Sequence, residues 1–209
     1  MNFFGHAAVA SWSTQEPAAL LGAMLPDFAT MSGGRLGDAE EPVLASGIAL
    51  HHATDAAFHE LPVVLGLMRE LDERLARGGC GRGARRAVSH IGVELLLDGV
   101  LVDEEAYRAS YTAGIAHEPD GIRWRSTGDD ERFALLLARL RAHGVPDDLR
   151  RPQAIALRLH RVLAPRPLLA PAPSDRPVIE RALVEHKPRV EVAAETVLRG
   201  LRAQLSAIR

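Results

Sequence analysis

The chain is expected to fold as an all-α protein, a single-domain helical bundle, on three observations. Apolar residues recur three and four apart along most of the sequence, the spacing that gathers them on one side of a helix. No stretch sustains the alternation of apolar and polar residues, rich in β-branched types, that marks a half-buried strand. Aromatic residues are few, two Trp, two Tyr and five Phe, so the core must be built from Leu, Val and Ala, which suit helix-on-helix packing. The 209 residues suffice for a sizeable core. The expected layout is one domain over 1–209, with a core in 1–113 and C-terminal helices in 114–209 packing on it.

Taken in order, a short helix is expected over about residues 2–11. In "SWSTQEPAALL" Ser13 or Thr14 can cap and Pro17 suits a first turn, so a second helix follows to about Phe28, ending near "SGG". A third starts after "AEEP" and runs to Glu60; Pro62 permits a restart, and a fourth reaches about Arg77. "RGGCGRG" reads as a loop. One long apolar helix is expected from Ala84 to Ala113 as the central pillar. Its interior Gly92 and Gly99 each cost about 1 kcal/mol against alanine, which close packing or a break would explain. Residues 116–129 read as a loop, "DDERFALLLARLRAHG" and "PQAIALRLHRVL" as helices, and "APRPLLAPAPSDRP" as an extended connection or lid. The last helix is expected from Val178 to Ile208, kinked near Pro188.

Composition excludes several classes. A formal charge of −2 with 25% charged residues is an ordinary balance, without the basic excess that suggests nucleic acid. No apolar run approaches the roughly 20 residues needed to cross a bilayer, and the start lacks the basic-then-apolar pattern of a signal peptide. A cytoplasmic protein without membrane partners is the expectation. The single cysteine, Cys80, excludes a disulfide framework within one chain. A glycine-rich phosphate loop, a GxSxG elbow and paired CxxC motifs are all absent.

The chemistry-bearing pattern lies in "GIALHHATDAAFHE", residues 47–60. His51, Asp55 and His59 are spaced four apart and so form one stripe on a helix. His90, Glu94 and Asp98 repeat that spacing. His6 and Asp27 are two more ionisable residues set among apolar neighbours. Imidazole and carboxylate with no usable thiolate suit Mn or Fe best, with Mg possible. Eight candidates exceed what one ion takes, so two ions, or one ion with supporting residues, are expected. His52 points about 100° away from His51 around the helix and is expected to be exposed or supporting. His117, His143, His160 and His186 read as structural. Arg150, Arg151, Arg158, Arg161 and Arg166 read either as a basic face for a phosphate or acidic partner, or as a solvated helix.

In order and approximate spacing, "MNFFGH", "LGAMLPDF", "GIALHHATD" and "VELLLDGVL" resemble the acyl-carrier-protein phosphodiesterases, all-helical relatives of the HD-domain phosphohydrolases. The resemblance covers about the first 105 residues. It implies an HD-domain-like fold and a divalent-metal-dependent hydrolase, typically using Mn, that cuts the phosphodiester joining a phosphopantetheine arm to a carrier-protein serine. The partner would be an acyl carrier protein or a small phosphodiester. His6, Asp27, His51, Asp55 and Asp98 fall on family-like positions, and Glu94 stands where an aspartate is usual. Two positions depart: His59 replaces a usual aspartate, and Gly99 replaces the histidine of the second His/Asp pair. His90, one turn earlier, and His59 can supply imidazoles instead. On this reading Asp55 or Glu94 accepts the proton of the attacking water and His59 or His90 protonates the leaving alkoxide. The rivals are an HD-like di-iron oxygenase and a noncatalytic helical binding protein.

Overall fold

A computed structural model describes residues 1–207. It is all-helical apart from one two-stranded ribbon among the described residues. The chain forms two compact units. The first comprises Asn2–Asp55 and Leu101–Pro146; the second comprises Met1, Ala56–Val100 and the chain from Asp147 onward.

In the first unit, α1 (Phe3–Ala10) is buried at every one of its eight positions. "FFGHAAVA" is apolar almost all round, and such a helix belongs at the centre of its packing group. Asn2 caps it, its side chain accepting from the Phe3 N–H at 2.7 Å. Around it pack α2 (Pro17–Ser32) and α6 (Glu105–Ala116). Phe3 touches the Phe28 ring of α2 at 5.5 Å and the Tyr111 ring of α6 at 6.0 Å between centroids, spacings at which aromatic pairs attract. Pro17 occupies the first turn of α2, and the Thr14 hydroxyl accepts from the Glu16 N–H at 3.0 Å. The helix runs a turn past the expected Phe28, because the left-handed residue that ends it is Gly33, at φ 73°.

α3 (Pro42–Glu60) contributes its residues up to Asp55 to the first unit and the remainder to the second. It meets α2 backbone to backbone. A Cβ on Gly22 would lie 2.2 Å from the Leu44 carbonyl oxygen, and one on Gly47 the same distance from that of Ala19, so both positions must be glycine. α7 (Asp129–His143) packs on α2 and α6.

The ribbon was not expected. β1 (Leu36–Ala39) pairs antiparallel with β2 (Ile122–Trp124), Leu36 opposite Trp124 and Ala39 opposite Ile122, with the register slipping at Gly37. Strands of four and three residues are too short for alternation to show in a sequence, and β2 falls in the stretch read as loop.

In the second unit, α4 (Pro62–Arg77), α8 (Pro152–Leu163) and α9 (Arg176–Ser206) gather around α5 (Arg82–Leu101). A Cβ on Gly92 of α5 would meet Leu71 of α4, Leu159 of α8 and Leu183 of α9 within 3.8 Å, so α5 is the pillar of this unit. Ion pairs Glu70–Arg189 at 3.2 Å and Arg74–Glu185 at 3.1 Å link α4 to α9. The expected basic face is partly neutralised, since Arg150 pairs with Asp147 and Arg158 with Asp148. α9 continues through Pro188; its expected end at Ile208 lies outside the described residues.

The single helix expected over 84–113 is two. α5 ends at Leu101 and α6 begins at Glu105. The Arg108 guanidinium donates to the Val102 carbonyl at 3.2 Å, satisfying an acceptor that helix continuation would otherwise use. Glu104, extended, and Glu105 place acidic groups where the α6 dipole favours them. The apolar spacing persists through the break, which is why the sequence conceals it. No described helix is long and apolar enough to cross a membrane.

Candidate metal centre

Three helices of the first unit each bring ionisable side chains to one place. His6 comes from α1, Asp27 from α2, and His51 and Asp55 from α3. Ligand atoms of His6, Asp27 and His51 lie within 4.8 Å of one another. His6 Nε2 is 3.2 Å from Asp55 Oδ1 and 3.9 Å from Asp27 Oδ2. His51 Nε2 is 3.5 Å from Asp55 Oδ2. The two imidazoles stack with centroids 3.9 Å apart. His6 and His51 are buried, at 1% and 4% exposure, while Asp27 and Asp55 are partly open.

The electrostatics favour a neutral His51 imidazole beside an ionised Asp55 carboxylate. Burial, and then the adjacent His6, push the His51 pKa down to about 3. The Ala23 carbonyl lies 2.9 Å from His51 Nδ1. A carbonyl only accepts, so Nδ1 carries the hydrogen and Nε2 keeps its lone pair on the side where Asp55 lies. A backbone carbonyl orienting one imidazole nitrogen while the other stays available is the usual arrangement behind a metal-ligating histidine. Burial works to raise the Asp55 carboxyl, yet the hydrogen bond of His6, followed by the positive charge of the chain's amino group, outweighs it and holds the group well below the ordinary carboxylate range. Two imidazoles and two carboxylates are a donor set for Mn, Fe or Zn rather than for a soft metal, and these residues fit a divalent ion.

The second unit has a group of its own. Ligand atoms of His59, His90 and Glu94 lie within 4.8 Å of one another. His90 Nε2 is 3.1 Å and His59 Nε2 3.6 Å from Glu94 Oε1, and the two rings are 4.7 Å apart. The Met1 nitrogen lies 3.2 Å from the same oxygen. Burial would raise the Glu94 carboxyl, but the His90 hydrogen bond and then the charge of the Met1 amino group lower it overall. Asp98, one turn further along α5, is fully buried.

The stripe His51, Asp55, His59 is thus divided: its first two members join His6 and Asp27, and the third joins His90 and Glu94. Gly99 has a structural reason. A Cβ there would lie 2.2 Å from the Leu149 carbonyl oxygen, so no histidine fits at this position. His52 is exposed, its ring edge-on to His51 at 5.3 Å. His117, read as structural, pairs with Glu41 at 3.4 Å, and His186 is fully buried. Cys80 is buried, and burial followed by the neighbouring Asp175 pushes its thiol up to about 11, too high for a nucleophilic thiolate near neutrality. The ribbon also brings Arg35 and Arg125 opposite each other, the Arg125 N–H donating to the Arg35 carbonyl; they lie far apart in the sequence and no spacing connects them.

No protein-family model, no curated protein and no solved structure matches this chain.

Proposed function

We propose that this protein is a metal-dependent phosphodiesterase. The observation that carries the reading is the convergence of His6, Asp27 and His51, with Asp55 in hydrogen-bond reach, in a largely buried setting. The resemblance to the acyl-carrier-protein phosphodiesterases points the same way, and names a phosphopantetheine-type diester as the substrate to try first. Mn is the preferred metal, with Fe or Mg as alternatives, held by His6, Asp27, His51 and Asp55.

A divalent ion supplies Lewis acidity, drawing charge from a phosphoryl oxygen and making water acidic enough to attack near neutral pH. The protein does the rest. His51, tied to the Ala23 carbonyl, keeps one lone pair aimed into the group. Asp55, held ionised by His6, accepts a hydrogen bond from the attacking water and orients it as the new P–O bond forms and the proton leaves to solvent. The bond from phosphorus to the leaving alkoxide breaks, and that oxygen takes up a proton. In the second unit, Glu94 is kept ionised by His90 and is suited to accept a proton, while His59, a third exposed, is placed to donate one.

The test is hydrolysis of an activated aryl phosphodiester and of a phosphopantetheine diester by the full chain. Activity lost on chelation and restored by Mn supports the reading. Hydrolysis unaffected by thorough chelation, or no hydrolysis under any divalent ion, contradicts it.

A further inference from the structure

We propose that a cavity of the first unit, about 460 Å³ in volume, binds a phosphate group through Arg35 and Arg125. It is walled by Pro26, Ala29 and Thr30 of α2, by Ala45, Ile48 and His52 of α3, and by residues 36–38 of β1 together with Arg35 and Arg125. Pro26 precedes Asp27 and His52 follows His51, so its walls are continuous with the helices that carry the candidate ligands.

Three observations point to an anion. First, the arginines are held together: the Arg125 N–H donates to the Arg35 carbonyl at 3.0 Å, which extends the ribbon by one pair. Like charges held side by side on neighbouring strands repel. Second, no described carboxylate forms an ion pair with either guanidinium. Asp38, the acid in the lining, accepts from the Ala39 N–H at 2.8 Å. By contrast Arg123, on the same strand, pairs with Glu40 at 2.8 Å. Third, the Arg35 main chain is anchored. The Arg35 N–H donates to the buried Asp129 carboxylate at 2.8 Å, and that carboxylate is held in turn by Arg132. Gly37 lets the two strands approach beside this pair, since a Cβ there would lie 2.8 Å from the Arg123 carbonyl oxygen. Two exposed arginines at opposed backbone positions, both lining the cavity with His52 of α3, carry the donors that recognise phosphate oxygens.

Phosphate binding itself stands without the hydrolase reading; the claim that the phosphate belongs to the substrate of the metal group rests on it. The substrate class is then a phosphate-bearing molecule or arm held at Arg35 and Arg125.

The experiment titrates inorganic phosphate into the metal-free full chain by calorimetry, with thermal melts confirming that each variant is folded. Arg35→Gln and Arg125→Gln are each expected to weaken phosphate binding by about tenfold or more. Arg123→Gln, an equal change of charge outside the cavity, is expected to leave it unchanged. Absence of saturable phosphate binding by the metal-free wild type overturns the proposal, as does equal weakening by Arg123→Gln. Mn-restored diester hydrolysis, measured on the same preparations, reports on the hydrolase reading separately.

Discussion

At the scale of single residues, His51 shows how sequence becomes chemistry. One ring nitrogen is committed to Ala23 by the packing of α3 on α2, burial keeps the ring neutral, and the remaining lone pair faces carboxylate. His186 is buried as completely but placed for a different end. Its ring is enclosed on α9 close to Arg74, Glu70 and Arg189, and burial, then Arg74, lowers its pKa from the ordinary 6.5. Because the folded value is depressed, the unfolded chain takes up this proton first. The stability that His186 contributes is therefore complete above about pH 6.5 and is lost as pH falls toward the folded value, at up to about 1.4 kcal/mol per pH unit. Urea denaturation at pH 7.5 and pH 5 is expected to show a smaller loss in His186→Gln than in wild type; equal losses would exclude this assignment. Gly99 gives a second expectation at this scale. Any side chain meets the Leu149 carbonyl, so Gly99→Ala is expected to cost about 1–3 kcal/mol in the same measurement, and a variant as stable as wild type would show that the contact relaxes freely.

At the scale of elements, the site in the first unit depends on how closely α2 and α3 approach. Gly22 and Gly47 let the two backbones touch, and one to two turns further along each helix stand Asp27, His51 and Asp55. Gly47→Ala is expected to push the helices apart. It should cost about 1–3 kcal/mol of stability and, because a ligand constellation tolerates displacements of only about 0.5 Å, also at least about tenfold in Mn affinity. Calorimetric Mn titration of a folded Gly47→Ala protein checks this, and unchanged affinity would show that the glycine contact does not set the ligand spacing. Helix identity and most helix starts were legible in the sequence, because proline in a first turn and periodic apolar spacing are local signals. The ribbon and the break at Val102–Glu104 were not. The first is too short to alternate, and the second is made by Arg108 reaching back to a carbonyl while the apolar period runs on undisturbed.

At the scale of the molecule, each compact unit carries one group of imidazoles and carboxylates. Their members were legible one by one: His6 and Asp27 as ionisable residues in apolar settings, the others as positions four apart. How they divide was not legible, because periodicity reports which side of a helix a residue takes and not which neighbours that helix acquires along its length. His51 and His59 share a stripe and end in different groups. Arg35 and Arg125 illustrate the same limit, being brought together by a backbone pairing with no local signal. Both the hydrolytic reading and the ligand roles depend on a divalent ion being held by His6, Asp27, His51 and Asp55. The most direct test is elemental analysis of protein prepared without added ions, followed by calorimetric Mn titration of the chelator-stripped wild type and of His51→Ala. The account expects a stoichiometric divalent ion, or stoichiometric Mn uptake after stripping, with affinity reduced at least about tenfold in His51→Ala. A folded wild-type protein that takes up no divalent ion, or a His51→Ala variant that binds Mn as tightly as wild type, would contradict it.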